Sequence, residues 1–404
     1  MAMPLEGIRV LDWTIWQQGP VATAMLADLG AEVIKIESPD GGDPGRGIFK
    51  LGGRDLRDRP NFYFEANNRN KKSLTIDLKK PEAREVMHAL AERSDVFVQN
   101  FRKGVADRLG LDYETLRARN PRLIYASATG YGPEGPDSGE PSFDQLGLAR
   151  SGIMFAVGEP DMPPLAVAGG IADQMGAIVL AYGVLAALLA RERLGVGQQV
   201  DASHLGSMMW LQGLSVASQL MMDFPFRRSF RSRAANPLWN HYRCRDDRWL
   251  SLGMLQSDRY WEDLCRAIGR RELAHDERFE DARSRAAHAE EAVAELDRTF
   301  ATRSRDEWMA LLRADPGDFI YTLVNSIDDL PDDPQVVAND YVVDFEHPQF
   351  GETRVLGMPV RLSETPGQVR TAAPALGQHT ESVLVDVLGW DWERIGELRR
   401  RGVI

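Results

Sequence analysis

The first part of the chain alternates between short apolar stretches typical of strands and amphipathic stretches typical of helices. Residues 7–12 predict a strand, residues 20–29 a helix that starts at a proline and stops at Gly30, and residues 31–36 a second strand. The pattern continues with strands over 73–78, 95–99 and 123–128 and helices over 81–93 and 113–119. Such alternation predicts an α/β fold with a mostly parallel sheet and ligands at the carboxyl ends of its strands.

The pattern changes in the second half of the chain. Two long helical stretches, 174–193 and 202–222, precede residues 239–254, which alternate as a hairpin around a turn at 245–248. A charged and mostly helical stretch covers 257–313, and further strands within 351–362 and helices over 380–388 and 392–400 follow. We therefore predict a large domain over 1–222, a small domain over 223–330, and a linker with a C-terminal segment over 331–404.

Composition narrows the class of protein. The chain has 404 residues, of which 43% are hydrophobic and 27% charged, as is ordinary for a soluble protein with sizeable cores. A formal net charge of −12 argues against a nucleic-acid binder, because phosphate neutralisation needs a basic face. Two cysteines, Cys244 and Cys265, are too few for a disulfide framework and indicate reduced thiols in a cytoplasmic protein.

No membrane association is expected from the sequence. Residues 1–6 hold no basic region followed by an apolar run, so we expect no secretory signal. The longest apolar run, residues 175–190, falls short of the ~18 residues that a membrane span needs. It predicts a buried helix that packs through small residues.

Asp173 is the strongest candidate for chemistry. It stands among residues 169–177 (GGIADQMGA), directly before the apolar helix. At a helix start, the helix dipole and free backbone N–H groups hold a carboxylate ionised, so it can act as a nucleophile. The alternative is that Asp173 only caps the helix, because aspartate is a preferred N-cap residue. The loop after the first strand, residues 13–19, lacks the G-x-G-x-x-G fingerprint, which weighs against a nicotinamide or flavin enzyme.

A series of short motifs in a fixed order runs through nearly the whole chain. The motifs are PLEGIRVLD at 4–12, LADLGAEVIKIE at 26–37, GDP at 42–44, NRNKKS at 68–73, QNFR at 99–102, DRLG at 107–110, NPRLIY at 120–125, TGYG at 129–132, GMPV at 357–360 and LGQHT at 376–380. In these motifs the chain resembles the family III coenzyme A (CoA) transferases, the CaiB/BaiF group, which includes formyl-CoA transferase and carnitine CoA-transferase. The 2-methylacyl-CoA racemases are relatives of the same fold.

The resemblance implies an architecture. Both terminal segments would form a Rossmann-like large domain, and the middle segment a smaller α+β domain. Two chains would be threaded through each other as an interlocked homodimer, with no stable folded monomer.

The resemblance also implies a mechanism. Asp173 matches the family's catalytic aspartate, which attacks a donor acyl-CoA to give a mixed anhydride and then an aspartyl-CoA thioester, before a carboxylic acid acceptor reverses the sequence. Gln17 matches a glutamine beside the nucleophile, whose amide can hydrogen-bond the developing oxyanion. The CoA thioester is a substrate, and no metal or tightly bound cofactor is expected.

Several residues match family positions that meet CoA. These are Arg69, Lys71, Lys72, Asn100, Phe101 and Arg108. The basic ones would meet the three phosphates of CoA. The alternative for the cluster at 69–72 is a solvated turn.

Two departures from the family bear on the substrate. The formyl-type enzymes have a glycine-rich loop in the small domain, whereas residues 231–239 here contain no glycine. Trp13, Ile15 and Trp16 would form an apolar lip to the acyl pocket, unless these side chains belong to the core. We therefore expect a bulkier or aromatic acyl group rather than formyl or oxalyl.

Two other functions compete with acyl transfer. A racemase needs a second acid or base, which the family's racemases supply with a histidine directly before an aspartate. Here the pair is Phe143-Asp144, and phenylalanine carries no proton, although Asp144, Glu140 or His204 could approach the substrate instead. A non-catalytic CoA-binding protein on the same scaffold is the other alternative, because a fold alone does not fix a function.

Overall fold

The computed structural model describes residues 2–48, 50–51, 53–55 and 59–404, which form two compact units. The first unit contains the described residues up to 154, together with 166–224 and 337–404, and the second contains 155–165 and 225–336. The predicted large domain over 1–222 therefore wrongly includes residues 155–165, which belong to the second unit. The guanidinium of Arg228 donates to the carbonyl oxygens of Phe155, Glu159, Met162 and Pro163, which ties this segment to the second unit.

The N-terminal part of the first unit is built on one parallel sheet. Its elements are β1 (Arg9–Trp13), α1 (Gln18–Asp28), β2 (Glu32–Glu37), β3 (Lys50–Leu51), β4 (Arg54–Asp55), α2 (Phe62–Asn68), β5 (Lys71–Thr75), α3 (Pro81–Glu92), β6 (Val96–Gln99), α4 (Val105–Leu109), α5 (Tyr113–Arg119), β7 (Ile124–Thr129), α6 (Asp144–Ser151), α7 (Ile171–Leu194), β8 (Gln199–Ser203), α8 (His204–Leu211) and α9 (Gly213–Met222). Six strands lie in the order β5-β2-β1-β6-β7-β8, and every neighbouring pair is parallel. The predicted α/β fold with a parallel sheet is confirmed.

Both faces of this sheet are buried, which explains why its central strands are almost continuously apolar. On β1, Val10 belongs to a cluster with α1 and α7, whereas its neighbour Leu11 belongs to a cluster with α3 and α15 (Thr380–Leu388). Val33 and Ile34 of β2 divide in the same way. Successive side chains of a strand point to opposite faces, so each strand contributes to two cores.

The predicted helix over 202–222 is wrong at its start and in its middle. Residues up to Ser203 form β8, whose Ala202 and Ser203 pair with the end of β7. Ser203 then caps α8 by accepting the Gly206 N–H. The chain breaks again at Gln212, whose side chain donates to the carbonyl oxygens of Ser151 and Met208 and separates α8 from α9.

The second unit has a small antiparallel sheet covered by helices. Its elements are β9 (Trp239–Arg243), β10 (Trp249–Gly253), α10 (Ser257–Ala267), α11 (Ala282–Ala287), α12 (Ala289–Phe300), α13 (Arg305–Ala314) and β11 (Tyr321–Val324), and α14 (Pro334–Ala338) lies where this unit ends. The strand order is β11-β10-β9. The predicted hairpin is confirmed, since Arg243 pairs with Trp249 across the turn.

The C-terminal segment packs with the first unit. It contains the hairpin β12 (Val342–His347) and β13 (Gly351–Leu356), then α15 and α16 (Trp392–Arg400). The Asn70 side chain accepts the backbone N–H groups of Arg370 and Thr371. Beyond it, the Ser73 N–H donates to His379 Nδ1, and the Thr75 N–H donates to Thr380 Oγ1. These bonds fasten the segment along β5, the outermost strand of the sheet.

The helix α7 has the length and composition of a membrane span, and 44% of its most apolar window is buried. It is the one such helix in the described part of the chain. Its buried side, which includes Leu180 and Val184, packs against α1 and the sheet. The core helix of a soluble protein passes the same test of length and composition.

Candidate active site

Asp173 is the third residue of α7 and does not cap it. The helix begins after Gly170, which adopts a left-handed conformation, and no side chain at that position caps the helix. Asp144 takes this role, because its Oδ1 accepts the backbone N–H groups of Ala172 at 2.7 Å and of Asp173 at 3.2 Å. The alternative that Asp173 is merely an N-cap is therefore wrong. Its carboxylate lies in the first turn, at the positive end of the helix dipole.

His204 holds one oxygen of the Asp173 carboxylate. Its Nε2 lies 2.8 Å from Asp173 Oδ1, and its Nδ1 lies 3.2 Å from Ser142 Oγ. The histidine side chain is 5% exposed and that of Asp173 is 16% exposed, so the open edge of this pair belongs to the carboxylate. This contact has no strong signal in the sequence, because it depends on recognising the short strand β8 that ends at Ser203.

A glycine on α6 makes room for this histidine. A Cβ atom at Gly147 would lie 2.7 Å from the Cβ of His204 and 3.0 Å from that of Ala172. Real Cβ atoms essentially never show a contact of 2.7 Å, and one of 3.0 Å is unusually tight. The helices α6, α7 and α8 therefore meet around the imidazole at a distance that only glycine permits.

Gln17 lies against the first turn of α7. A Cβ atom at Gly170 would be 2.5 Å from Gln17 Oε1, so the glutamine side chain packs directly on the glycine backbone. The Gln17 amide reaches the Gly170 carbonyl oxygen at 3.5 Å and Gln174 Oε1 at 3.4 Å. Both distances are long for hydrogen bonds, which leaves the amide available to a better acceptor. The structure thus brings Gln17 to the residues that flank Asp173.

The loop that carries Gln17 is held in a strained conformation. Trp16 has a φ of 67°, which is costly for a bulky residue. Its N–H donates to Asp43 Oδ1, and its carbonyl oxygen accepts from Asn67. The Asn100 side chain, at the end of the adjacent strand β6, bonds both the N–H and the carbonyl oxygen of Ile15. This loop lies where the strand order reverses direction, the usual ligand position in open α/β sheets.

A buried ionic network supports the loop from below. Asp12 Oδ2 lies 2.8 Å from Lys71 Nζ, and Lys35 Nζ lies 2.9 Å from Asp43 Oδ2, with all four side chains fully buried. Burial raises the pKa of Asp12, but Lys71 and Lys35 more than offset this and lower it to about 2. Burial lowers the pKa of Lys71 to about 8, against the attraction of Asp12. Lys35 also donates to the Thr14 carbonyl oxygen, which links the network to the loop.

The basic cluster at 69–72 has mostly structural roles. Lys71 donates to Asp12, to the Pro20 carbonyl oxygen and to Asn68. Arg69 pairs with Asp28 at 2.6 Å with little exposure, whereas Lys72 pairs with Glu32 and keeps 38% of its side chain exposed. We therefore remove Lys71 and Arg69 from the expected CoA contacts. The alternative of a solvated turn is wrong as well for these two residues.

Arg108 lines a basic cavity that the sequence revealed only in part. The cavity has a volume of about 320 Å³. It is lined by Leu78, Lys79, Lys80, Pro81, Arg84, Arg108, Leu109 and Leu111. Lys79 and Lys80 follow β5 and lead into α3, whose first turn begins at Pro81. The sequence motifs do not include Lys79, Lys80 or Arg84, although two lysines directly before a helix are a readable signal for an anion site.

Phe101 and Trp13 belong to the core. Their ring centroids are 4.3 Å apart, and Trp13 is 5% exposed. The interpretation of Trp13 as part of an apolar lip is therefore wrong, because its side chain points into the sheet's core. The Asn100 side chain uses its amide to hold the loop at Ile15.

Three aromatic side chains gather near the carboxylates. Trp16 packs edge-on against Phe143 at 6.2 Å, and Phe143 is 57% exposed. Burial and the carboxylates of Asp173, Asp43 and Asp144 raise the pKa of Tyr63 well above its usual range, so its hydroxyl remains protonated. The sequence did not reveal that Tyr63 lies within electrostatic range of these carboxylates. Within the described residues, no group of three or more His, Cys, Asp or Glu side chains is placed to hold a metal ion.

Comparisons with known proteins agree on one family. The profile of CoA-transferase family III matches residues 5–380. The chain is 33% identical to the (R)-2-hydroxy-4-methylpentanoate CoA-transferase of Clostridioides difficile and 34% identical to a formyl-CoA:oxalate CoA-transferase of Streptomyces coelicolor, with 100% of both chains covered in each case. A crystal structure of a CaiB/BaiF family protein from Brucella suis superposes with a TM-score of 0.84 at 28% identity, covering 96% of this chain and 100% of that one.

Proposed function

Because the chain belongs to CoA-transferase family III, we propose that it transfers CoA from an acyl-CoA donor to a carboxylic acid with Asp173 as the nucleophile. One observation carries this proposal. Asp144, rather than Asp173, caps the helix, and His204 bonds only Oδ1 of the Asp173 carboxylate. The carboxylate is also partly open to solvent. A carboxylate is ionised at neutral pH, so this nucleophile needs no general base.

The reaction passes through a mixed anhydride and then an aspartyl-CoA thioester. Asp173 Oδ2 attacks the thioester carbonyl carbon, the carbon–sulfur bond breaks, and the CoA thiolate leaves with the electron pair. The thiolate then attacks Cγ of the mixed anhydride, and the donor acid leaves with Oδ2, which produces the aspartyl-CoA thioester. An acceptor carboxylate reverses these steps and returns an oxygen to Asp173. The Gln17 amide donates a hydrogen bond to the oxyanion that forms on the substrate carbonyl in the first step.

The basic cavity is the proposed anchor for the phosphates of CoA. Lys79, Lys80 and Arg108 supply positive charge around it, and the cavity lies at the start of α3, where the helix dipole favours an anion. Arg84 already donates to the Leu109 carbonyl oxygen, so we assign it to the cavity wall. Lys72 keeps enough exposure to contribute at longer range.

We propose a branched or aromatic acyl group rather than formyl or oxalyl. Trp16 and the exposed ring of Phe143 form an apolar edge near Asp173, which favours burial of an apolar acyl chain. The relatives include both a branched 2-hydroxy acid enzyme and a formyl-CoA enzyme at similar identity, so identity alone does not separate the two classes.

Racemisation is less well supported than transfer. Phe143 carries no proton, and His204 donates to the same carboxylate that would serve as the other acid or base. A racemase needs its two groups on opposite faces of the α-carbon. Incubation of a chiral 2-methylacyl-CoA in D₂O without an acceptor acid separates the two functions, and rapid α-deuteration would favour the racemase.

We also propose an interlocked homodimer acting in the cytoplasm. Large apolar side chains stand exposed on α8 and α9, among them Trp210 at 79%, Leu214 at 89% and Met221 at 84%. Apolar exposure on this scale is typical of a surface that a partner covers. A compact folded monomer at high dilution, seen by light scattering, would contradict this assembly.

The nucleophile is tested by replacing Asp173 with alanine and by trapping the intermediate. We expect Asp173→Ala to abolish CoA exchange while CoA binding is retained, because the nucleophile supplies chemistry rather than ground-state affinity. Incubation of the wild type with acyl-CoA and then hydroxylamine should modify the peptide that contains Asp173. Asp386→Asn, on the exposed side of α15, is the matched control and should turn over normally. Normal turnover of Asp173→Ala, or binding without any turnover by the wild type, would refute the proposal.

A further inference from the structure

His204 contacts Asp173 Oδ1, the oxygen that stays bonded to Cγ in every step of the proposed reaction. In the proposed reaction, Oδ2 forms and breaks bonds, whereas Oδ1 remains attached to Cγ as its carbonyl oxygen. When a thiolate or carboxylate attacks Cγ, the negative charge therefore develops on Oδ1. His204 Nε2 already stands 2.8 Å from this oxygen, within the range expected of an oxyanion donor.

We infer that His204 donates the hydrogen bond that stabilises the oxyanion on Asp173 Oδ1 when the aspartyl carbonyl carbon is attacked. This inference rests on the proposed function. It gives the two donors different tasks, because Gln17 would serve the substrate carbonyl and His204 the enzyme's own. Both the formation and the discharge of the aspartyl-CoA thioester pass through the His204-dependent step.

The surroundings of the imidazole favour the required tautomer. A carboxylate only accepts hydrogen bonds, so Nε2 must carry a proton when it faces ionised Asp173. Nδ1 faces the Ser142 hydroxyl at 3.2 Å, which is shorter than the 3.4 Å from that hydroxyl to the Phe143 carbonyl oxygen. A Ser142 hydroxyl that donates to Nδ1 favours the tautomer with the proton on Nε2.

The position of the imidazole is also fixed by packing. His204 lies directly after β8 in a helix capped by Ser203, and Gly147 lets its Cβ approach α6. The Leu205 N–H donates to the Gly130 carbonyl oxygen, which holds the start of α8 against the end of β7. A donor that is already in place needs no reorganisation during the reaction, which is the basis of oxyanion stabilisation.

Two substitutions at one position test this role. Glutamine places an amide N–H near the position of Nε2, whereas methionine fills a similar volume without a donor. We expect His204→Met to lower kcat by about 10²–10³-fold with KM for acyl-CoA changed less than threefold, as for the loss of one oxyanion donor. His204→Gln should recover at least tenfold of this loss. Ser142→Ala should lower kcat less than His204→Met does, because it leaves the Nε2 donor in place.

The thioester adduct provides the second measurement. Intact-mass analysis after incubation with acyl-CoA should show the CoA adduct on Asp173 forming at the wild-type rate or near it in His204→Gln, and far more slowly in His204→Met. Thermal unfolding and CoA affinity, measured on the same samples, establish that both variants are folded. Equal impairment of the two folded variants, or a His204→Met kcat within threefold of the wild type, would overturn the inference. Absence of both turnover and adduct in the wild type would instead refute the proposed function.

Discussion

Lys71 offers a sharp test of how the structure assigns the basic residues. The sequence motif at 68–73 suggests a phosphate contact, whereas the structure buries the Lys71 ammonium among Asp12, the Pro20 carbonyl oxygen and Asn68. Replacing Lys71 with methionine keeps most of the side-chain volume and removes the charge. The substitution leaves Asp12 buried with Lys35 as its remaining cationic neighbour.

The expected cost is a loss of stability. Removing one partner of a buried ion pair typically costs about 3–5 kcal/mol, because the other charge remains desolvated. At about 2–4 °C of melting temperature per kcal/mol for domains of 150–250 residues, Lys71→Met should melt roughly 6–20 °C lower than the wild type. The double variant Asp12→Asn with Lys71→Met should recover part of this loss, since it removes both charges.

Lys79→Met and Arg108→Met provide the matched comparison. Each removes a charge from the basic cavity, where a hydrogen bond to a charged group contributes about 1.5–3 kcal/mol. That range corresponds to a rise in KM for acyl-CoA of roughly 10–150-fold, with melting temperature nearly unchanged.

Differential scanning fluorimetry and steady-state kinetics on the wild type and the four variants decide between the assignments. A Lys71→Met protein with wild-type melting temperature and a KM raised as much as that of Arg108→Met would refute the structural role of Lys71 and restore the phosphate contact.

Three further expectations follow from the site and its surroundings. Gly170→Ala should lower both melting temperature and kcat, because the φ of 68° at this position is strained for alanine and the added Cβ would meet Gln17. Thermal unfolding and CoA-exchange assays measure the two effects. Unchanged values in both would contradict this packing. The pKa of Asp12 lies at about 2 in the fold and at 3.8 ordinarily, so its stabilisation is present above pH 4 and is lost as the pH falls through 2. Between pH 5 and pH 2.5, the melting temperature should therefore fall less steeply with decreasing pH for Asp12→Asn than for the wild type. Leu214→Glu should weaken assembly and yield aggregated or unfolded protein, as light scattering would show, whereas a soluble, fully active dimer would place the partner elsewhere.

Within the first 129 residues, the five strands of the parallel sheet and the helices α1, α3 and α5 are readable from sequence, because these strands are mostly buried and these helices have clear ends. The short elements β3, β4, α2 and α4 were not predicted. The helix predicted over 81–93 and the observed α3 differ by one residue, and α5, α15 and α16 have the predicted bounds. The strand β8 was missed because it is five residues long and carries exposed Gln199 and Asp201. With so little apolar alternation, its pairing with β7 decides its conformation.

The sequence identified individual residues of the site but not the contacts between them. Asp173 and Gln17 stand next to recognisable motifs, and the structure brings both to the first turn of α7. The partners of charged residues were not readable in the same way. Lys71 pairs with Asp12 across 59 positions, and His204 reaches Asp173 across 31, so their roles depend on the order of strands in the sheet.

The fastening of the C-terminal segment along β5 has a consequence for synthesis of the chain. The bonds from Ser73 and Thr75 reach partners 306 and 305 positions later. At about 5–20 residues per second, a ribosome needs roughly 15–60 s to make the chain between them. During that time the edge of β5 stands open as a template for pairing with other chains. Native contacts of such long range also slow folding. The nascent protein therefore passes through a period in which β5 lacks its C-terminal partner. A chaperone that shields this edge should raise the yield of soluble enzyme.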